Sequence, residues 1–211
     1  AMGAFMSYQS PLTVTQMLWV NLIMDTFAAL SFASLPASMS VMKDRPRKHN
    51  DFIITKPMWK YIFGVGLLFI VALFGLLQYF KNAEIVSMTD FSIVDYFRSY
   101  FDFNYTSADS LTTVECTMFF TIFVFLQFWS LFNVKCFDSV EGIFSKLGES
   151  KIFFASLLVI FVGQVLIVQF GGKMFSVEAL SVMDWVYMVA GTSVVFWVGL
   201  VIRAISPFLK K

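Results

Sequence analysis

The chain has 211 residues, of which 58% are hydrophobic, 18% aromatic and 14% charged, and its formal net charge is +1. This composition, with a mean hydropathy of +0.76, excludes an ordinary soluble globular domain, which needs a more highly charged surface. A net charge this close to zero gives no reason to expect nucleic acid as a partner. We therefore expect an all-α, polytopic bundle of transmembrane helices with the lipid bilayer as its solvent.

Five apolar runs approach or exceed the ~18–20 residues that cross a bilayer as a helix. The predicted spans cover residues 13–35, 59–80, 114–135, 152–170 and 184–203. Residues 1–9 read as the end of a truncated transmembrane helix, and residues 10–211 as one five-helix transmembrane domain. The chain is accordingly interpreted as a fragment.

Basic residues orient these spans through the positive-inside rule. Six of them follow the first span, and strict alternation of the later loops puts twelve of the fifteen lysines and arginines on the same side. That side is predicted to be cytoplasmic and to hold the carboxyl terminus. The protein is expected to be a multi-pass protein of the plasma membrane or of a bacterial inner membrane.

The first span contains an acid that needs an explanation. In "MLWVNLIMDTFAAL", residues 17–30, Asp25 lies four residues after Asn21, and no lysine or arginine occurs between residues 1 and 42. An ionised aspartate near a helix centre costs ~2.5–3.5 kcal/mol on insertion scales, so it requires a partner. No basic residue lies at the centre of any predicted span, and a bound cation would supply the missing charge. Carboxylate and amide oxygens on one helix face suit a hard cation, whereas Met24 between them offers only a soft thioether.

Other interpretations of these polar residues stay open. Asp25 would also fit as an interhelical hydrogen-bonding residue or as an acid kept protonated by burial. Two ligands are too few in any case, because calcium takes ~6–8 oxygens. Gln164 and Gln169 are predicted to be structural amides between helices, and His49 a solvated loop histidine.

Two motifs carry a family resemblance. "LTVTQMLWVNLIMDTFAAL" followed by "LPASMSVMKDRPR" resembles the sixth transmembrane helix and next cytoplasmic loop of P-type calcium pumps. "LIVQFGGKMFS", residues 166–176, is similar to the ninth helix and outer turn of the plasma-membrane type. Their order and the number of spans match helices six to ten. The resemblance implies that Asn21 and Asp25 are calcium ligands and that Ca²⁺ is the transported ion of an ATP-driven exporter.

Two departures from the two-site pumps bear on stoichiometry. Met24 stands where those pumps have a threonine ligand, and Gln127, in "FLQFWSLFN", where they have a glutamate. Both match the plasma-membrane type and favour a single calcium site. From spacing alone, Gln127 is better interpreted as an interhelical hydrogen-bonding residue.

The chain contains neither the Asp-Lys-Thr-Gly-Thr phosphorylation motif nor a glycine-rich nucleotide loop. The resemblance therefore implies that ATP and Mg²⁺ act only through domains absent from this chain, and that the amino-terminal part of the same pump is its partner. The complete protein would be a P-type calcium-transporting ATPase. The alternative is a non-catalytic membrane bundle, either a remnant or an accessory subunit, without transport of its own.

Overall fold

The computed structural model describes residues 12–35, 54, 56–81, 111–135 and 151–209. Within these ranges every regular element is a helix, which confirms the all-α prediction. The expected helix tail at residues 1–9 and the histidine at position 49 lie outside the described residues. The division into a tail and a domain beginning at residue 10 therefore stays a prediction.

The elements follow one another along the chain as α-helices, with one π-helical segment near the start. We name them α1 to α8 and refer to the π-helical segment as the π segment. Their bounds are α1 Val14–Leu18, the π segment Trp19–Met24, α2 Asp25–Ala33, α3 Lys56–Lys81, α4 Thr113–Lys135, α5 Lys151–Phe170, α6 Gly172–Phe175, α7 Val182–Thr192 and α8 Val194–Leu209.

Five stretches of these helices are long and apolar enough to cross a membrane. They are Val14–Ala33, Met58–Phe80, Thr113–Lys135, Lys151–Phe170 and Val182–Val201, which we number as spans 1 to 5. The spans predicted from the sequence agree with these five to within a few residues at each end. The positions of the spans could be predicted because the hydropathy and the length of an apolar run depend only on consecutive residues of the sequence.

The third span, α4, is the centre of the bundle, because it contacts α3, α5, α7 and α8. The first span packs through α2 against α5. One hydrophobic cluster joins the first, third, fourth and fifth spans and includes Val20, Phe120, Ile160 and Met188. Helices in lipid gain little from the hydrophobic effect, so close packing of this kind holds them together.

The connection between α5 and α7 is tied to the beginnings of two other spans. The Gln16 amide donates a hydrogen bond of 2.9 Å to the carbonyl of Phe175, and the Thr15 hydroxyl donates one of 3.1 Å to the carbonyl of Met174. The buried Thr117 hydroxyl of α4 accepts a hydrogen bond of 3.0 Å from the backbone N–H of Glu178. These contacts fix the relative depth of the first, third, fourth and fifth spans at this end of the bundle.

The fifth span is interrupted between α7 and α8 at Ser193. The Thr192 hydroxyl donates to the carbonyl of Met188 at 2.6 Å, and the Ser193 hydroxyl donates to that of Ala190 at 2.6 Å. Hydroxyl groups that bond back to the preceding turn bend transmembrane helices. The Trp129 indole donates to Thr192 at 3.1 Å and so holds this bend against α4.

Candidate intramembrane cation site

The first span changes its helical type where the polar pair lies. A capping box between Thr13 and Gln16 starts α1, and the π segment begins five residues later, at Trp19. The backbone N–H of Asp25 donates to the carbonyl of Val20, a bond to the fifth preceding residue that defines a π turn. No glycine or proline occurs from residue 12 to 35, so neither of these helix-breaking residues causes the π segment. Such π turns inside α-helices occur frequently at functional sites.

Span 1 has a buried face and an exposed face around the π segment. Gln16, Val20 and Met24 are buried against the rest of the bundle, whereas Asn21 and Asp25 are exposed on another face. Both sets repeat at an interval of four residues, between the 3.6 of an α-helix and the wider turn of a π-helix. The structure thus places Asn21 and Asp25 on one face, away from the core of the described spans.

Met24 faces the bundle, whereas its neighbour Asp25 is exposed. Its side chain is only 2% exposed and belongs to the hydrophobic cluster with Val20 and Ile160. The thioether therefore points into the core, and not toward the face that carries Asn21 and Asp25.

Asp25 differs from the other acids of the described spans in its position. Among the described residues it forms no ion pair, and the other acids of the spans lie at span ends. Glu115 accepts a hydrogen bond of 2.7 Å from the backbone N–H of Thr112 at the start of α4, and Asp184 accepts one of 3.1 Å from that of Ser181 before α7. These two carboxylates cap helices, whereas Asp25 lies within span 1, Val14–Ala33.

The described spans supply only part of a cation site. No group of three or more His, Cys, Asp or Glu side chains comes together among the residues that the structure describes. Asn21 and Asp25 offer amide and carboxylate oxygens, which are the ligands of a hard cation such as Ca²⁺. The arrangement can therefore contribute one charged and one neutral oxygen ligand from a single exposed helix face.

The three glutamines have different environments. Gln164 bonds across helices as predicted, because its Oε1 accepts a hydrogen bond of 3.1 Å from the Trp19 indole. The Gln169 amide donates a hydrogen bond of 2.9 Å to the carbonyl of Leu180, in the connection before α7. Its partner is therefore a loop, whereas the prediction was another helix. Gln127 is half-buried on α4 and makes no side-chain hydrogen bond to any residue in the described ranges, so its predicted interhelical bond is not observed there.

The contact between Trp19 and Gly163 cannot be recognised from the sequence. A Cβ atom built on Gly163 would lie 2.6 Å from Cη2 of Trp19, so glycine is what allows α5 to approach the indole. In the sequence Trp19 looks like one more apolar residue of the span. The available signal was the adjacent Gly163 and Gln164 in the middle of an otherwise apolar run.

Comparison with known proteins identifies the family. A family model described as "Cation transporting ATPase, C-terminus" matches residues 9–205. The chain belongs to this family. Its relatives include the human plasma membrane calcium-transporting ATPase 4, which is 33% identical over 214 residues covering 99% of this chain. The calcium-transporting ATPase PAT1 of Dictyostelium discoideum is 31% identical over 205 residues covering 96% of this chain.

The matched region is a small part of each relative. It spans 16% of the human protein and 17% of the Dictyostelium protein. The resemblance to plasma-membrane-type calcium pumps that the two sequence motifs indicated is confirmed. Family membership and the five apolar helices together describe a multi-pass membrane protein.

Proposed function

We propose that these five spans are the carboxyl-terminal membrane region of an ATP-driven calcium exporter. In this proposal Asn21 and Asp25 are ligands of a single intramembrane Ca²⁺ site. The family and the names of the relatives support calcium as the cargo. ATP and Mg²⁺ act in other parts of the pump, and the carboxyl terminus lies in the cytoplasm, as the distribution of basic residues favours.

The observation that carries the proposal is the position of Asp25. Its carboxylate lies within a candidate membrane span, on an exposed face that it shares with the Asn21 amide and that the other described spans leave uncovered. Burying an ionised carboxylate in a membrane protein requires a compensating charge, and none of the described basic residues supplies one. A calcium ion bound between this face and helices from the rest of the pump would provide that charge and would receive its remaining oxygens from those helices.

The surroundings of Met24 and Gln127 support a single ion. A second calcium beside the first would bring two more positive charges into a low-dielectric interior, which requires anionic oxygens. Met24 offers sulfur and points into the core, and Gln127 offers a neutral amide. Neither side chain can replace a carboxylate.

The test is Asp25→Asn in the complete pump, which removes the ligand charge with almost no change of shape. We expect loss of calcium-dependent phosphorylation from ATP. Phosphorylation from inorganic phosphate, measured without calcium, should survive because it requires an empty site. Asp184→Asn is the matched control, since it removes a carboxylate from a helix cap at the end of a span and should leave calcium dependence unchanged.

The outcomes separate the two function classes. Normal calcium transport by the Asp25→Asn pump would overturn the ligand assignment. A complete protein that forms no phosphoenzyme from either phosphate source, even with Asp25 intact, would instead favour a non-catalytic membrane bundle.

A further inference from the structure

Gln164 is a fully buried amide in the second half of α5, with a relative exposure of 0%. Its Oε1 accepts the indole N–H of Trp19 at 3.1 Å. Its Nε2 is buried and has no hydrogen-bond partner among the described residues. The amide is therefore half satisfied, and its observed polar contact is with Trp19, 145 positions away in the sequence.

Stability alone does not account for a glutamine at this position. A buried amide with an unmet donor lowers stability relative to an apolar side chain of similar size. An apolar side chain would also suit the surrounding cluster of Ile160 and Val168. The glutamine adds a directional contact to the indole. A hydrogen bond favours one orientation of the indole ring, whereas an apolar contact of the same size does not.

Gly163 provides the space that this indole occupies. The space that a Cβ atom would fill is occupied by the Trp19 ring, with Cη2 at 2.6 Å and Cζ2 at 3.0 Å from the ideal Cβ position. Two consecutive residues of α5 thus contact Trp19. Gly163 leaves space for the indole ring because it has no side chain, and Gln164 accepts a hydrogen bond from the indole N–H.

Trp19 is the first residue of the π segment, and that segment leads directly to Asp25. Val20 and Met24 hold one side of it in the core through contacts that are apolar and tolerate small rotations. The hydrogen bond from Trp19 is directional, so it adds a constraint on the rotation of the segment about the helix axis that apolar contacts alone lack. A change in that rotation would move the oxygens of Asn21 and Asp25 together.

We propose that Gln164 is a positioning residue for the cation site, and that its hydrogen bond to Trp19 fixes the rotation of the π segment bearing Asn21 and leading to Asp25. This inference rests on the proposed function, because it assigns Gln164 a role only if those two residues bind calcium. It extends the site to a residue of another span that does not touch the ion.

The test uses Gln164→Leu in the complete pump, which keeps the size of the side chain and removes the acceptor. We expect the calcium concentration for half-maximal phosphorylation from ATP to rise roughly three- to tenfold, the range of one ordinary hydrogen bond. Phosphorylation from inorganic phosphate without calcium, and the thermal inactivation midpoint, should not fall. A purely structural role would lower the last two measurements together with the first.

Gln169→Leu is the matched control. It removes an amide of the same helix that bonds to the Leu180 carbonyl, away from Trp19, and should leave the calcium concentration unchanged. Trp19→Phe removes the donor from the other side and should reproduce the shift. The double variant Trp19→Phe/Gln164→Leu should shift no further than either single variant, because both remove the same bond. If Gln164→Leu fails to accumulate, Trp19→Phe decides the question by the same measurements.

An unchanged calcium concentration in Gln164→Leu or an equal shift in Gln169→Leu would overturn the positioning role. So would additive effects of the Trp19 and Gln164 substitutions. This failure is distinguishable from failure of the proposed function. Loss of calcium dependence in Asp25→Asn with no effect of Gln164→Leu rejects the positioning role alone, and a normal Asp25→Asn pump rejects the site itself.

Discussion

The backbone N–H of Asp25 donates to the carbonyl of Val20, five residues earlier. The residue that carries the lone mid-span carboxylate of the described chain therefore also closes the π segment. Val20 is buried in the bundle core, so this bond links the exposed polar face directly to the packed face of the same helix. The Thr26 hydroxyl, which donates to the carbonyl of Leu22, adds a side-chain bond to the same turn.

Asn21→Ala should weaken calcium binding in the complete pump while leaving its folding intact. Asn21 is exposed on the surface of the described spans, so truncating its side chain opens no cavity. The truncation does remove one neutral oxygen ligand, which water replaces only in part. Equilibrium calcium binding measures the effect. Leu22→Ala, which truncates the neighbouring exposed side chain without removing an oxygen, is the control. Equal affinity in Asn21→Ala and wild type would remove Asn21 from the ligand set.

The purified complete pump should bind one calcium ion per phosphorylation site. Met24 is buried in the core and Gln127 is neutral, so neither helps to neutralise a second ion. Radioactive calcium bound at equilibrium, normalised to the maximum phosphoenzyme, should give a ratio near one. Met24→Thr should not raise that ratio, because its hydroxyl would lie in the core. A wild-type ratio near two would show that other helices build a second site without these positions.

Gly163→Ala should destabilise the pump by about 1–3 kcal/mol, the usual cost of overpacking. The added methyl would meet the Trp19 ring, and the ring is held by its bond to Gln164. A fall in the thermal inactivation midpoint measures this cost. Gly191→Ala is the control, because a methyl there has no described atom within 4 Å. Equal midpoints for the two variants would contradict the close approach of α5 to Trp19.

Thr117→Val should loosen the connection between α5 and α7 and cost about 1–3 kcal/mol, because it leaves the Glu178 N–H without its acceptor. The Thr117 hydroxyl is fully buried and makes hydrogen bonds to both Thr113 and Glu178. Thr121→Val is the matched control, since among the described residues its hydroxyl bonds only to the carbonyl of Thr117 within α4. Thermal inactivation in detergent should separate the two variants, and indistinguishable midpoints would argue against this docking.

The topology can be tested by cysteine labelling in a pump otherwise free of cysteine. Asp51→Cys and Ser145→Cys should react only with a reagent added to the cytoplasmic side, and Ser107→Cys only from the opposite side. The reason is the concentration of basic residues in alternate loops. Labelling of position 107 from the cytoplasm would contradict the five-span topology.

Much of the fold could be predicted from the sequence because hydropathy and charge act locally. A long apolar run forms a helical membrane span whichever helices it packs against, because a helix satisfies all of its backbone hydrogen bonds within the segment when it lies in lipid. Asp25 could be recognised for the same reason, as an acid within such a run without a basic partner nearby in sequence. The pairing with Asn21 followed from their spacing of four.

Packing between distant segments decided the rest. The spacing of four does not reveal that the span becomes π-helical at Trp19, nor that Met24 turns into the core while Asn21 and Asp25 face away from it. Trp19 and Gln164 lie 145 positions apart, and no local pattern pairs an indole with a particular amide in another span. The sequence by itself determined which segments enter the membrane and where a charge would need a partner. Only the tertiary structure decided which way that charge faces, because the rotation of a helix about its axis depends on the side chains of the helices packed against it.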